Sequence, residues 1–252
     1  MSLDKSVSLS ILLAASASLL ATPADAFSLR DTAHGESLFQ IFNSLANIEG
    51  LGLEENTLGL KALRADSLYW EKGSDPVDVF FVNEGSGGYR DQLFYTANGT
   101  GLTKIFDDIA SPESIQPNSD GPLKLGDGVR LGSFSQNTLV DFILKGNGKD
   151  DTNGYVYSAN IDKNPDKLQH VIAFEYFDKV MQESWVILGF ENLYGVHYSE
   201  GGISDRDFND VVFAVKGLSS QPSLPEAKGT PEPTMMLGML AISALMGVTR
   251  RR

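Results

Sequence analysis

The 252-residue chain contains no cysteine, which excludes disulfides, thiolate metal centres and thiol nucleophiles together. Histidine is almost as scarce, with only His34, His170 and His197 present. None of them stands near a Gly-x-Ser-x-Gly or comparable nucleophile setting. A phosphate loop is missing too: Gly85, Gly87 and Gly88 fall in a turn with no helix start behind them. Positive charge is short as well, at 20 Lys+Arg against 33 Asp+Glu for a formal net charge of -13. Such a surface repels nucleic acid and attracts cations. What the chain does have is 42% hydrophobic and 10% aromatic residues, enough for a real core rather than a disordered polymer.

The two ends differ from the middle. Lys5, the apolar run VSLSILLAASASLLA and then Ala24-Asp25-Ala26 predict a signal peptide over residues 1–26, cleaved by signal peptidase after Ala26. Near the other end, PEPTMMLGMLAISALMGVTRRR runs through sixteen uncharged residues, Thr234 to Thr249, into Arg250, Arg251 and Arg252. That is short of the about 20 residues that cross a bilayer comfortably. A basic cluster after it still suits a stop-transfer anchor, since arginines stay on the cytoplasmic side. The order Pro-Glu-Pro, short apolar helix, arginine cluster over residues 231–252 resembles the PEP-CTERM sorting signal of Gram-negative bacteria. The resemblance implies that Pro231, Glu232 and Pro233 are the motif an exosortase recognises. It also implies transient anchoring in the inner membrane, then release to the cell surface or extracellular matrix, where exopolysaccharide is a reasonable partner for a chain rich in aromatic residues. Residues 219–230 are rich in proline and predict a linker to this tail.

Between these ends, the spacing of Leu38, Ile41, Phe42, Leu45 and Ile48, stopped by Gly50, predicts one amphipathic helix within an N-terminal helical segment over residues 27–66. From about Tyr69 the hydrophobic period changes to two. VDVFFVN, RDQLFYTAN, VRLGSF, NTLVDFILK, GYVYSAN, HVIAFEYF, SWVILGFEN and DVVFAVKG each predict a strand bounded by turn residues. Together they predict a mainly β domain over residues 67–218, an antiparallel β-sandwich or jelly roll. Asn98-Gly99 signals a hairpin turn inside it.

The most unusual local feature is GGISDRDFNDVVFAV, where Asp205, Asp207, Asn209 and Asp210 crowd the mouth of a strand. Adjacent carboxylates repel, and strands select against Asp and Asn. The spacing i, i+2, i+4 lets a curled loop turn Asp205, Asp207 and Asn209 toward one centre. Calcium takes six to eight oxygens at about 2.3 to 2.6 Å, so a Ca2+ site is the expectation. The loop is not an EF-hand, because Asp210 and Lys216 stand where glycine and glutamate are needed. In NIDKNPDKLQH, Asp162, Asn164 and Asp166 repeat the spacing and could form a second or shared site. Asp150 and Asp151 sit in a third acidic loop. Two alternatives stay open: ordinary Asx-turns, and neutralisation by the Arg206 guanidinium.

GFENLYG, then GGISDRDFNDVVFAV, preceded by NPDKLQHVIAFEYF, resembles the bacterial domain of unknown function 4114, over about residues 140–216. The resemblance implies an exported β-rich module and supplies no ligand. The expected function is therefore non-catalytic, structural or adhesive, at the surface or in the matrix. A carbohydrate-binding module is the alternative, with Trp70, Trp185 and the tyrosines as stacking candidates. A glycan-active enzyme would need a carboxylate pair such as Glu175 with Glu191 or Glu183, at most about 9.5 Å apart.

Overall fold

A computed structural model describes residues 27–32, 34–48, 52–53, 57–85 and 89–220. The expected signal peptide, sorting motif and all but the first two residues of the expected linker lie outside the described residues. Among those described, no helix is long and apolar enough to cross a membrane.

In chain order the elements are β1 (Phe27–Ser28), α1 (Gly35–Ser44), β2 (Lys61–Leu63), β3 (Leu68–Trp70), β4 (Val77–Glu84), β5 (Asp91–Ala97), β6 (Thr100–Ile109), β7 (Asp127–Gly132), β8 (Thr138–Lys145), β9 (Val156–Ser158), β10 (Val171–Asp178), β11 (Glu183–Phe190), β12 (Val211–Lys216) and β13 (Ser219–Ser220). They form an antiparallel β-sandwich. One sheet has the order β1-β7-β4-β12-β11-β10-β2, and the other runs β13-β3-β8-β5-β6 with β9 added to β8. The sheets meet through stacked rings, Phe106 of β6 lying on Phe213 of β12 at 5.7 Å between centroids.

The eight periodic runs all appear as strands, and the long β6 is the main addition. Its first five residues are exposed, as an edge strand allows, so no buried-face alternation marks it in the sequence. The Asn98-Gly99 turn delivers it as the partner of β5, with Asn98 and Gly99 both left-handed at φ 52° and 71°. Helix α1 stops at Ser44, a turn short of the periodic pattern. Leu45 N–H there reaches back to Phe42 O at 3.1 Å, and Ile48 ends up 56% exposed.

Central strands of the larger sheet are covered on both faces. All eight residues of β4 are buried, as are Trp185 to Phe190 of β11 and Val211 to Val215 of β12. Phe81 and Phe213 face the second sheet. On the outer face Phe42 of α1 packs against Trp185 and Tyr176, and Trp185 against Phe80. This double cover explains why VILGF and VVFAV read as continuous apolar runs instead of strict alternation. The segment before Leu68 is part of the same body, since β1 pairs with β7 and β2 with β10.

Candidate metal centre

Register builds the site. Strands β11 and β12 pair with Phe190 opposite Val211, so Glu191 and Asp210 leave the ladder side by side, one residue beyond its last pair. Residues 192–209 close a long loop between them, pinned by a parallel bridge of His197 with Ser204. The loop returns flat against β11 because residue 189 is glycine. A Cβ there would lie 2.4 Å from both Phe208 O and a Leu53 methyl. Arg206 and Phe208 both take left-handed φ, 59° and 60°, a costly conformation for residues with side chains. The turn this creates brings Asp205 back over the strand ends.

Glu191, Asp205 and Asp210 each place one carboxylate oxygen within 4.8 Å of the other two. Two oxygens each about 2.4 Å from one ion can be no farther apart than that. Glu191 is fully buried and Asp210 nearly so. Glu191 Oε1 accepts from Leu193 N–H at 3.1 Å, and Asp210 Oδ2 from Asn192 N–H at 2.7 Å. Glu191 Oε2 and Asp205 Oδ1 are buried with no hydrogen-bond donor. Burial drives the Glu191 carboxyl above the usual carboxylate range against its hydrogen bonds. Burial, then the Glu191 charge, drives Asp210 up strongly.

No basic side chain answers this charge among the described residues. Arg206 donates to Gln169 O and its guanidinium carbon lies 5.0 Å from the Phe208 ring centroid. It makes no ion pair with Glu191, Asp205 or Asp210. The Asp207 backbone carbonyl and the Asn209 amide are tied to the N-terminal segment. Asp207 Oδ1 accepts from Asn209 N–H, Asp207 O from Leu53 N–H, and Asn209 Nδ2 donates to Ile48 O. Of the expected ligand set, Asp205 and Asp210 stand at the carboxylate cluster. Glu191 completes it. The signal for Glu191 lay in aligning SWVILGFEN against DVVFAVKG as an antiparallel pair, which sets Glu191 opposite Asp210.

The second triplet does not converge. Asp162 is exposed, while Asn164 is buried and spends its amide on backbone: Oδ1 accepts from Ser158 N–H at 2.8 Å, and Nδ2 donates to Ser158 O and Leu168 O at 3.0 and 2.8 Å. Asp166 accepts from Gly195 N–H and faces His170 Nε2, both about 2.8 to 2.9 Å away. Burial works to raise Asp166, but the Gly195, His170 and Leu168 hydrogen bonds together hold it below the usual range. Asn164→Ala is therefore expected to cost about 1–2 kcal/mol while leaving any calcium response intact. A shift of the urea midpoint at unchanged slope checks the first part; loss of the calcium response would make Asn164 part of a metal site instead.

The histidine and glutamate candidates are equally structural in placement. His170 is fully buried, stacked 3.8 Å from Tyr157, with Nδ1 donating to Glu191 O at 2.7 Å. Glu183 pairs with Lys216 at the opposite end of β11 from Glu191, eight residues or about 26 Å away. Glu175 accepts from Ser184 Oγ. Trp70 and Trp185 are core residues, 2% and 3% exposed.

A neighbouring pair of acids lies across β12. Glu84 stands opposite Val211 and is buried with Oε2 unpartnered. Fully buried Asp91 accepts from Asn147 N–H and Asn192 Nδ2 at 2.7 and 2.8 Å. Burial, reinforced by the charges of Asp91 and Asp108, raises Glu84 to about 8, and burial raises Asp91 to about 6.

Residues 131–218 match the Domain of unknown function (DUF4114). The match covers 88 of the 252 residues. No curated protein and no solved structure matches the chain. The DUF4114 region holds β8 to β12 and the whole Glu191, Asp205, Asp210 cluster. It is not a complete sandwich, since β4 lies between β7 and β12 and β5 between β6 and β8.

Proposed function

We propose that the DUF4114 loop end binds one divalent cation, calcium, through Glu191, Asp205 and Asp210, and that the chain is an exported structural or adhesive module of the cell surface or matrix. The observation that carries the reading is three carboxylates around one point, two with buried oxygens lacking any donor, and no basic side chain among the described residues to balance them. Buried charge without a partner is expensive, and a hard cation with oxygen ligands supplies the missing partner. Binding to the folded state alone would rigidify the long 192–209 loop and stabilise the domain by mass action. Export rests on the Ala24-Asp25-Ala26 leader pattern and the Pro231-Glu232-Pro233 tail.

Titration of calcium into the metal-stripped full-length chain, followed by calorimetry, is expected to give one ion per chain. Asp205→Asn abolishes the heat, and Arg206→Ala preserves it. Absence of heat in the unaltered chain would sink the proposal. A specific alternative is a proton shared between the neighbouring Glu191 and Asp210 carboxyls. It predicts no saturable calcium heat at pH 8.

A further inference from the structure

Beside the acidic cluster, on the same end of the sandwich, opens a groove of about 300 Å3, at the small end of ligand-binding cavities. Its walls include Tyr89, Tyr155, Tyr194, Asp151, Asn153 and Asn192. The three tyrosines are 36%, 52% and 42% exposed, although large aromatic rings are ordinarily core. Their exposure is not looseness. Tyr194 stacks on Tyr155 with centroids 4.8 Å apart and planes 26° from parallel; Tyr155 leans on Tyr157 at 6.3 Å, and Tyr157 stacks on buried His170 at 3.8 Å. A column of rings thus runs from the core to the groove and holds the outer faces in place.

Around this platform the polar groups are available. The Tyr89, Tyr155 and Tyr194 hydroxyls and the Asn153 side-chain amide hydrogen-bond to no described residue, and exposed Asp151 commits one oxygen to Asn153 N–H at 2.8 Å. Preorganised aromatic faces next to free amide, hydroxyl and carboxylate groups match one ligand chemistry well. A pyranose ring offers a face of C–H groups, weakly positive, to the negative face of an aromatic ring, and hydroxyls around its rim to paired donors and acceptors. Asp151 is the only charged side chain lining the groove among the described residues, and the chain carries net charge -13. Anionic polymers are therefore disfavoured.

We propose that this tyrosine groove is a binding site for neutral saccharide chains. The inference goes beyond the cation reading and does not depend on it, since no tyrosine belongs to the carboxylate cluster.

The test uses the full-length chain with maltohexaose, cellohexaose and laminarihexaose as neutral probes and a hexamer of galacturonic acid as the anionic one. Calorimetry is run in calcium and again in chelator. At least one neutral hexamer is expected to bind with Kd of about 1 mM or tighter, and the galacturonate hexamer to bind more weakly. Tyr155→Ala and Tyr194→Ala each weaken binding about tenfold with the calcium-induced melting shift unchanged. Should the stacked column loosen on truncation, Asn153→Ala, an exposed change, still weakens binding several-fold. No binding of any neutral hexamer at about ten times that Kd, stronger binding of the anionic one, or full affinity in both tyrosine variants and in Asn153→Ala would overturn the proposal. Sugar binding that persists in chelator, or calcium binding without sugar binding, separates failure of one reading from failure of the other.

Discussion

Calcium at about 100 times its Kd is expected to raise the melting temperature of the chain by about 5–10 °C over the same sample in chelator. The figure follows from a linkage gain of about 2.7 kcal/mol and about 2–4 °C per kcal/mol for a folded body of this size. Glu191, Asp205 and Asp210 contribute unfavourably when the ion is removed. Glu191 Oε2 and Asp205 Oδ1 are then buried with no donor, and three carboxylates with oxygens within 4.8 Å of one another repel. Asp205→Asn should consequently show opposite effects in the two conditions. In chelator it melts at or above the unaltered chain, because one repelling charge has gone. In calcium it melts below, because a ligand has gone. A chain whose midpoint is the same in calcium and chelator, with Asp205→Asn equally inert, would exclude the cation. Magnesium at equal concentration should give the smaller shift, since it requires near-ideal octahedral geometry and sheds its waters reluctantly. The calcium gain should also be larger at pH 8 than at pH 5, because bound carboxylates must be deprotonated, and both Glu191 and Asp210 hold their protons above the ordinary carboxylate range.

In chelator, stability is expected to fall as pH rises from about 5 to about 8, and Glu84→Gln to flatten that fall. Glu84 is raised to about 8 in the folded state, while in the unfolded chain it titrates as an ordinary glutamate. Between those values the native state keeps a proton that the unfolded state has released. Where the native state binds more protons, the free energy of unfolding decreases with pH. The contribution is fully favourable below the unfolded value and lost as pH climbs through the folded one. Asp91, raised to about 6, acts in the same direction over the lower part of the window. Glu84→Gln keeps shape and hydrogen-bonding capacity but removes the charge, so it should stabilise the chain by on the order of 2 kcal/mol at pH 8 and hardly at all at pH 5. Denaturant midpoints across that range for the two proteins provide the check. A stability curve that rises with pH, or a Glu84→Gln effect that is constant in pH, would contradict it.

The two predictions concern adjacent acids on one end of the sandwich, which is where β4, β11 and β12 stop together. Glu84, Glu191 and Asp210 sit one residue from, or within, the last paired positions of those strands. A sheet end of this kind gathers residues 84, 191 and 210 from three separate stretches without any of them being close in sequence.

Composition and period settled much of the molecule in advance. The absence of cysteine, the acid excess and the change of period near Tyr69 fix a cysteine-free, acidic, mainly β chain, because strand alternation is a local property that each segment declares for itself. The hairpin at Asn98-Gly99 is equally local, written in residues that tolerate left-handed backbone. The acid-rich loop ahead of β12 was visible for the same reason. Which of its oxygens meet was not, since convergence depends on φ at Arg206 and Phe208 and on the flat approach that Gly189 permits. Glu191 joins Asp205 and Asp210 only through the pairing register of two strands separated by a 20-residue connection, and Asn164 leaves the ligand set because its amide satisfies backbone groups of Ser158 and Leu168. Charge is carried by single residues and can be counted along the chain, whereas the neutralisation of charge requires neighbours, and neighbours are chosen by the tertiary structure.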